Sequence, residues 1–354
     1  MRFETEKYVS GGYSLARDAD GVLFIKGALP GEVVDASLEY RKGKVRFFKL
    51  DGVVTPSPDR IDPGCPLYGI CGGCDFLHVT PQASALLKEE SVKENLSRIG
   101  KIRYGFPFEK PSYAKREGYR IRVNFHIEKG RLGFLARKGN KFVPIACCPL
   151  LDEKINEFLS KCDSYKGKTL PVFSGDDGIS IGNEVVTFSG YTVNALSFFQ
   201  SNKYLFKDLL DFVKENTVGS TVVDLYSGLG TFSRLFEGEK DVIAVERSEH
   251  SLKLFKLNAP SARVYSGDVA SFSLPNGENA GTVIVDPPRI GLDKNVPKLI
   301  TSWHPGRIIY VSCDSTTLSR DLPRFEGYKV TKGKLFDFYP GSSHEESAFV
   351  LERI

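Results

Sequence analysis

Cys313 closes the run IIYVSCDSTTL, in which apolar β-formers lead into Ser-Cys-Asp and then a polar turn. A cysteine at such a strand end can be a packed thiol, a metal ligand or a nucleophile, and taken alone it reads first as packing. As a nucleophile it acts through the thiolate, a small fraction at neutral pH but intrinsically very reactive. Asp286-Pro287-Pro288-Arg289 ends another apolar run. Its two prolines fix an extended backbone and remove two N–H groups, leaving carbonyls and the Asp286 carboxylate as acceptors along an edge that suits a planar base. A thiolate beside such an edge could add to C6 of a uracil, turning C5 into an enolate carbon able to take a methyl group. A base must then remove the C5 proton so that the thiol can leave. His344-Glu345-Glu346, just before a last apolar strand, offers an acid for that step.

A methyl donor needs a site of its own. Asp224-Leu-Tyr-Ser-Gly-Leu-Gly-Thr-Phe is expected at a strand end opening a helix, with Gly228 and Gly230 letting backbone approach a ligand. A dinucleotide fingerprint has a third glycine, which is missing here. Glu246 ends the next apolar run, placed for ribose hydroxyls, and Asp268 ends the third, placed for an adenine amine. Together these favour S-adenosylmethionine.

The other six cysteines are Cys65, Cys71, Cys74, Cys147, Cys148 and Cys162. An odd total with tight clustering argues against a disulfide framework and for a metal or cluster site. Cys65, Cys71 and Cys74 are spaced C-x5-C-x2-C, and one more thiolate completes either a [4Fe–4S] cluster or a zinc site. Cys162 is expected simply to pack.

These groups need a scaffold. Residues 1–54 read as short strands broken by turns such as Asp18-Ala-Asp-Gly21 and Leu29-Pro-Gly-Glu32, which suggests a small OB-like barrel. Residues 55–190 read as a β-rich domain holding the cysteine site, with a helix over 81–100 that could pack on the catalytic domain. Residues 191–354 alternate apolar strands with helix-length connections. That pattern predicts a doubly wound parallel sheet of Rossmann-like, class I methyltransferase type, with ligands at the carboxyl ends of the strands.

The net charge is +4, but Lys101–Lys141 holds 12 Lys and Arg against 3 Glu. A second basic run, Arg41–Lys49, includes Phe47 and Phe48. Charge interleaved with rings fits a single-stranded RNA surface as well as it fits two solvated sheet faces. No run is apolar enough to span a membrane, and Met-Arg-Phe-Glu-Thr-Glu does not read as a signal peptide. A cytoplasmic monomer is the expectation.

With ALPGE, CPLYGICGGC, CPLL, FFQSN, DLYSGLGTFS, VDPPRIGL, VSCDSTTLSRDL and the terminal HEE in this order, the chain resembles the RNA uracil-C5 methyltransferases nearly end to end. The resemblance implies an N-terminal TRAM barrel, Cys313 as nucleophile and Glu346 as the base. It implies that Gln200, Tyr226, Thr231, Glu246, Asp268 and Asp286 line the pocket for cofactor and target uracil, with Gln200 and Asp286 also able to hold the uracil edge. It favours a [4Fe–4S] cluster on Cys65, Cys71, Cys74 and Cys148, and a loop or flipped uridine as target. The barrel and cluster motif lean towards members acting on 23S rRNA over those acting on tRNA. Two departures stand out: Tyr339-Pro-Gly-Ser-Ser replaces a usual Phe-Pro-His-Thr, which leaves Glu345 a rival to Glu346, and Thr231 stands where Asn is frequent. A non-catalytic RNA-binding iron–sulfur protein and an amine-directed nucleic-acid methyltransferase are the competing readings.

Overall fold

The computed structural model describes residues 1–102, 105–161, 164–275 and 277–354. Cys162 and its expected packing lie outside them. Strands β1 (Arg2–Val9), β2 (Tyr13–Asp18), β3 (Gly21–Lys26), β4 (Val33–Lys42) and β5 (Val45–Thr55) close into a barrel in the order β1-β2-β3-β5-β4. Period-two alternation sends Phe3, Leu23, Ile25, Val34 and Phe48 inward, and closure leaves no long unpaired edge.

Helix α1 (Pro81–Arg98) starts where Thr80 caps the Ala83 N–H and Pro81 needs no partner. Its Ala85, Val92 and Leu96 join the core of the C-terminal sheet. Strand β6 (Phe108–Ser112) comes next. A five-stranded sheet then forms from β7 (Arg122–Glu128), β8 (Arg131–Leu135), β9 (Phe142–Pro144), β10 (Thr169–Ser174) and β11 (Ile179–Ile181), with α2 (Glu153–Ser160) between β9 and β10. The hairpin β12 (Val185–Phe188) and β13 (Tyr191–Asn194) leads to α3 (Phe206–Glu215).

The last sheet takes β14 (Thr221–Leu225), β15 (Asp241–Glu246), β16 (Arg263–Ser266), β17 (Thr282–Val285), β18 (Arg307–Ser312), β19 (Tyr328–Phe336) and β20 (Glu346–Arg353), connected in part by α4 (Glu249–Asn258), α5 (Val296–Ser302) and α6 (Ser315–Asp321). Its order is β16-β15-β14-β17-β18-β20-β19-β6. The first five strands are parallel, as the alternation predicts; β14, β15, β17 and β18 carry almost wholly buried apolar runs, while the edge strand β16 is largely exposed. Three features differ from the sequence expectation. β20 is antiparallel to both β18 and β19, because the short loop before it cannot make a crossover. β6, a Pro-containing run, adds to the sheet at its outer edge, where a missing N–H is tolerated. The turn after β14 opens no α-helix but a single 3₁₀ turn, Ser233–Phe236, because the Asp224 carboxylate takes the Ser233 N–H and Oγ–H.

No helix among the described residues is long and apolar enough to cross a membrane.

Candidate active site and cysteine site

The carboxyl ends of β14, β15, β17 and β18 open on one cavity of about 690 Å³. Gln200, Tyr226, Glu246, Asp268, Asp286, Cys313 and Glu346 line it, with Phe198, Arg289 and Tyr339. Thr231 does not; the Tyr191 hydroxyl donates to its carbonyl, on the far side of the turn.

Strand register explains the meeting of thiol and acid. Ser312 on β18 pairs with Ser347 on β20, so one step further Cys313 stands opposite Glu346. Asp286 leaves β17 one strand away, where Val285 pairs with Tyr310. Glu345 faces the other side of the strand, its Oε1 accepting the Ser315 N–H at the start of α6 at 2.9 Å. It is buried there and lies outside the cavity lining.

Burial first, then Glu346 and Asp286, pushes the Cys313 thiol up to about 12, while Arg289 pulls it down through charge and a hydrogen bond. Glu346 is held well above the usual carboxylate range by burial and then by Asp286, again opposed by Arg289. Asp286 rises to about 7, from burial and then Asp224. Arg289 is thus a cation opposing the shifts of the buried Glu346 acid and the Cys313 thiol. The sequence offered one hint of it, an Arg where an aromatic would have marked an amine-directed edge.

On the cofactor side, Tyr226 adopts φ +61, a strained position for a bulky residue, and this turns the chain sharply at the strand end. Glu246 accepts from the Gly228 N–H at 2.9 Å and the Ser248 N–H at 2.6 Å, so the acid and the glycine turn form one rigid rim. Asp268 accepts from the Ala270 N–H. Asp224 lies beneath, raised to about 7 by burial, with Oδ1 lacking a partner among the described residues. Gln200 is buried with its Oε1 equally unpartnered, and Phe198 beside it is 57% exposed at the mouth. His250, which no motif signalled, also lines the wall.

The cysteines meet elsewhere. Cys65, Cys71, Cys74, Cys147 and Cys148 line a separate small cavity of about 30 Å³ with Tyr68, Leu77, Leu150 and Arg120. Among the described residues no three His, Cys, Asp or Glu side chains converge to hold a single metal ion. The thiols do share one apolar wall, where burial and then mutual repulsion push Cys74 up to about 12 and raise Cys71 and Cys148. Thiols so placed favour ionisation only beside a cationic group. Asn156 fixes Cys148 by accepting its N–H and donating to its carbonyl, whereas the neighbouring Cys147 is exposed.

The family model of tRNA (uracil-5-)-methyltransferase matches residues 269–354. An RNA methyltransferase of Treponema denticola is 29% identical over 99% of this chain and 98% of its own. The 23S rRNA (uracil(1939)-C(5))-methyltransferase of Alkalilimnicola ehrlichii is 27% identical over 97% of this chain and 94% of its own. Among solved structures, the Pyrococcus abyssi tRNA (uracil-54, C5)-methyltransferase in complex with S-adenosyl-L-homocysteine superposes with a TM-score of 0.75 at 22% identity, covering 99% of both chains. The fold is therefore that of a class I methyltransferase with a five-stranded barrel at the N-terminal end. These comparisons bear out the resemblance read from the motifs.

Proposed function

We infer that this chain, a relative of the RNA uracil-C5 methyltransferases, methylates C5 of a uridine in 23S rRNA with S-adenosylmethionine as donor. The observation that carries the reading is the register that sets Cys313 against Glu346 at the rim of a cavity whose far wall carries Tyr226, Glu246 and Asp268. S-adenosylmethionine supplies an electrophilic methyl group when bound there. Cys313 gives up its proton to solvent at the open cavity and its sulfur bonds to C6, the C5–C6 π electrons moving onto C5 and O4. Asp286, raised to about 7 by burial and so still protonated in a large share of molecules near neutral pH, donates in that form to the oxygen that gathers this charge, and Gln200 holds the same edge. C5 takes the methyl group, Glu346 removes the C5 proton, and the C–S bond breaks to release the thiolate. The Arg289 charge favours the ionised forms of both Cys313 and Glu346. A target in a duplex must be unstacked or flipped, so a loop uridine is the substrate. The enzyme works in the cytoplasm, its barrel acting as a TRAM-type RNA platform.

The second site holds a [4Fe–4S] cluster on Cys65, Cys71, Cys74 and Cys148, supported by the shared wall of these thiols. Anaerobically purified protein should carry iron and sulfide in equal amounts, and zinc in their place would overturn this.

Two measurements test the function. RNA containing 5-fluorouridine should give a denaturant-stable adduct with wild type and none with Cys313→Ala; full methylation by that variant would sink the mechanism. Mapping 5-methyluridine in RNA from a deletion strain should show its loss at one 23S rRNA position. Loss from tRNA instead would favour the substrate class named for the Pyrococcus abyssi enzyme.

A further inference from the structure

We propose that Asp75, the residue after Cys74, is a positioning residue for the elimination step, tying the cysteine loop to the segment Asp337–Glu345 that delivers Tyr339 and Glu346 to the cavity. The inference rests on the function proposed above.

That segment has no regular structure and links β19 to β20 across the gap between the two sites. It is held at three places. Near its start, Lys88 donates to Asp337 Oδ1 at 2.6 Å and to the Tyr339 carbonyl at 3.0 Å, and Asn202 donates to the Phe338 carbonyl at 3.2 Å. At its end, Glu345 is held by the Ser315 N–H. Its middle depends on the cysteine loop. The Asp75 and Phe76 N–H groups both donate to the Gly341 carbonyl at 3.1 Å. Asp75 Oδ1 accepts from the Ser343 N–H at 2.7 Å, and Oδ2 accepts from the Ser343 Oγ–H at 3.0 Å. The two chains approach so closely that a Cβ on Gly341 would stand 2.7 Å from Leu150 Cδ1 and 3.5 Å from Cys74 Sγ.

Asp75 also reaches the barrel, with Lys26 Nζ at 2.6 Å from Oδ2, and Arg137 lies 3.8 Å away. A role in docking the barrel is therefore the alternative, and the two partners separate the cases. Lys26→Gln removes only the barrel contact, while Ser343→Ala weakens only the catalytic segment. A loosened segment shifts Tyr339 and Glu346, whereas Cys313 and the cofactor wall rest on other strands. Addition and methyl transfer should persist while proton removal slows.

The test is single-turnover methylation of a uridine RNA with labelled S-adenosylmethionine. Asp75→Ala should lower turnover by about 100-fold, the scale set by misplacing a catalytic group by about 1 Å. It should accumulate a denaturant-stable, methyl-labelled adduct at Cys313 and exchange the amides of 341–343 faster. Asp75→Asn, which can still accept the Ser343 N–H, should restore most turnover. Ser343→Ala should shift the same readouts in the same direction, more weakly, and it carries the test if Asp75→Ala fails to fold. The proposal is overturned if the variants eliminate at the wild-type rate, lose turnover without adduct, or are reproduced by Lys26→Gln with Ser343→Ala silent. Absence of methyl transfer by the wild type would instead overturn the function proposed above, and this inference with it.

Discussion

Cys313, the nucleophile proposed above, is held back. With its thiol pushed up to about 12, the thiolate is roughly a 10⁻⁵ fraction near pH 7, against a few per cent for an ordinary cysteine. Iodoacetamide should therefore label Cys313 slowly in the free protein, by about tenfold more per pH unit across pH 8 to 11. A plateau near pH 9 in peptide mass spectrometry would contradict the environment described. Arg289→Gln removes an opposing charge, so labelling at a given pH should slow further. Asp224 and Asp286, both raised to about 7 by burial first, make a second pH-dependent pair. Their folded-state values lie above the unfolded ones, so the native state holds extra protons between about pH 4 and 7 and loses stability as pH rises through that window. Asp224→Asn should stabilise the protein without cofactor at pH 8, by about 1–3 kcal/mol, and show no gain at pH 4. Urea titrations at the two pH values decide it. At this scale much was legible, since seven of the eight residues chosen for catalysis and cofactor share one cavity with no help from composition. Thr231 lies outside the cavity lining, and the 3₁₀ turn that follows it in place of the expected helix is fixed by the Asp224 side chain, which periodicity does not show. The separation of Glu345 from Glu346 needed only strand alternation, once the strand's first residue was known.

Strand order does at the level of elements what spacing cannot show. Alternating apolar runs announce five parallel strands, but not that β20 inserts beside β18 and brings Glu346 opposite Cys313. Helix α1 carried a readable apolar side, and beside the burial of Ala85, Val92 and Leu96 an ion pair fastens it to the C-terminal sheet. Lys88 and Asp337 are both 0% exposed and 2.6 Å apart, with Ser84 completing the carboxylate at 2.7 Å. A lysine within a helical run looks solvated in sequence, so this pair could not be foreseen. Breaking one partner leaves a buried charge alone, so Lys88→Met should cost about 3–5 kcal/mol in urea unfolding. Adding Asp337→Leu should recover most of that loss. If Lys88→Met is neutral, the pair does not fasten the helix.

Across the whole molecule, basic and aromatic groups offer two different kinds of surface for the RNA proposed as substrate. The barrel carries a row of rings: Tyr40 stacks on Phe47 at 4.6 Å and 11°, Phe47 on Phe24 at 5.6 Å, and Tyr13 meets Phe47 edge-on. Tyr40 is 45% exposed, so the end of the row is open to a base. On the central sheet Arg120, Arg122 and Arg137 line a groove of about 420 Å³ with Phe134 and Ser201, next to the catalytic cavity. The Arg122 guanidinium lies 5.9 Å over the ring of Phe198, which lines that cavity. Rings and charges are separable by salt, since only a phosphate contact releases counterions. Tyr40→Ala should weaken RNA binding by about 1–3 kcal/mol, raising KM with kcat unchanged and the slope of log affinity against log salt unchanged. Arg122→Gln should weaken binding at low salt and reduce that slope by about one. Fluorescence anisotropy with one RNA across a salt series measures both. A changed slope in Tyr40→Ala, or a fall in its kcat with KM intact, would remove the stacking role from the barrel and leave its rings as packing.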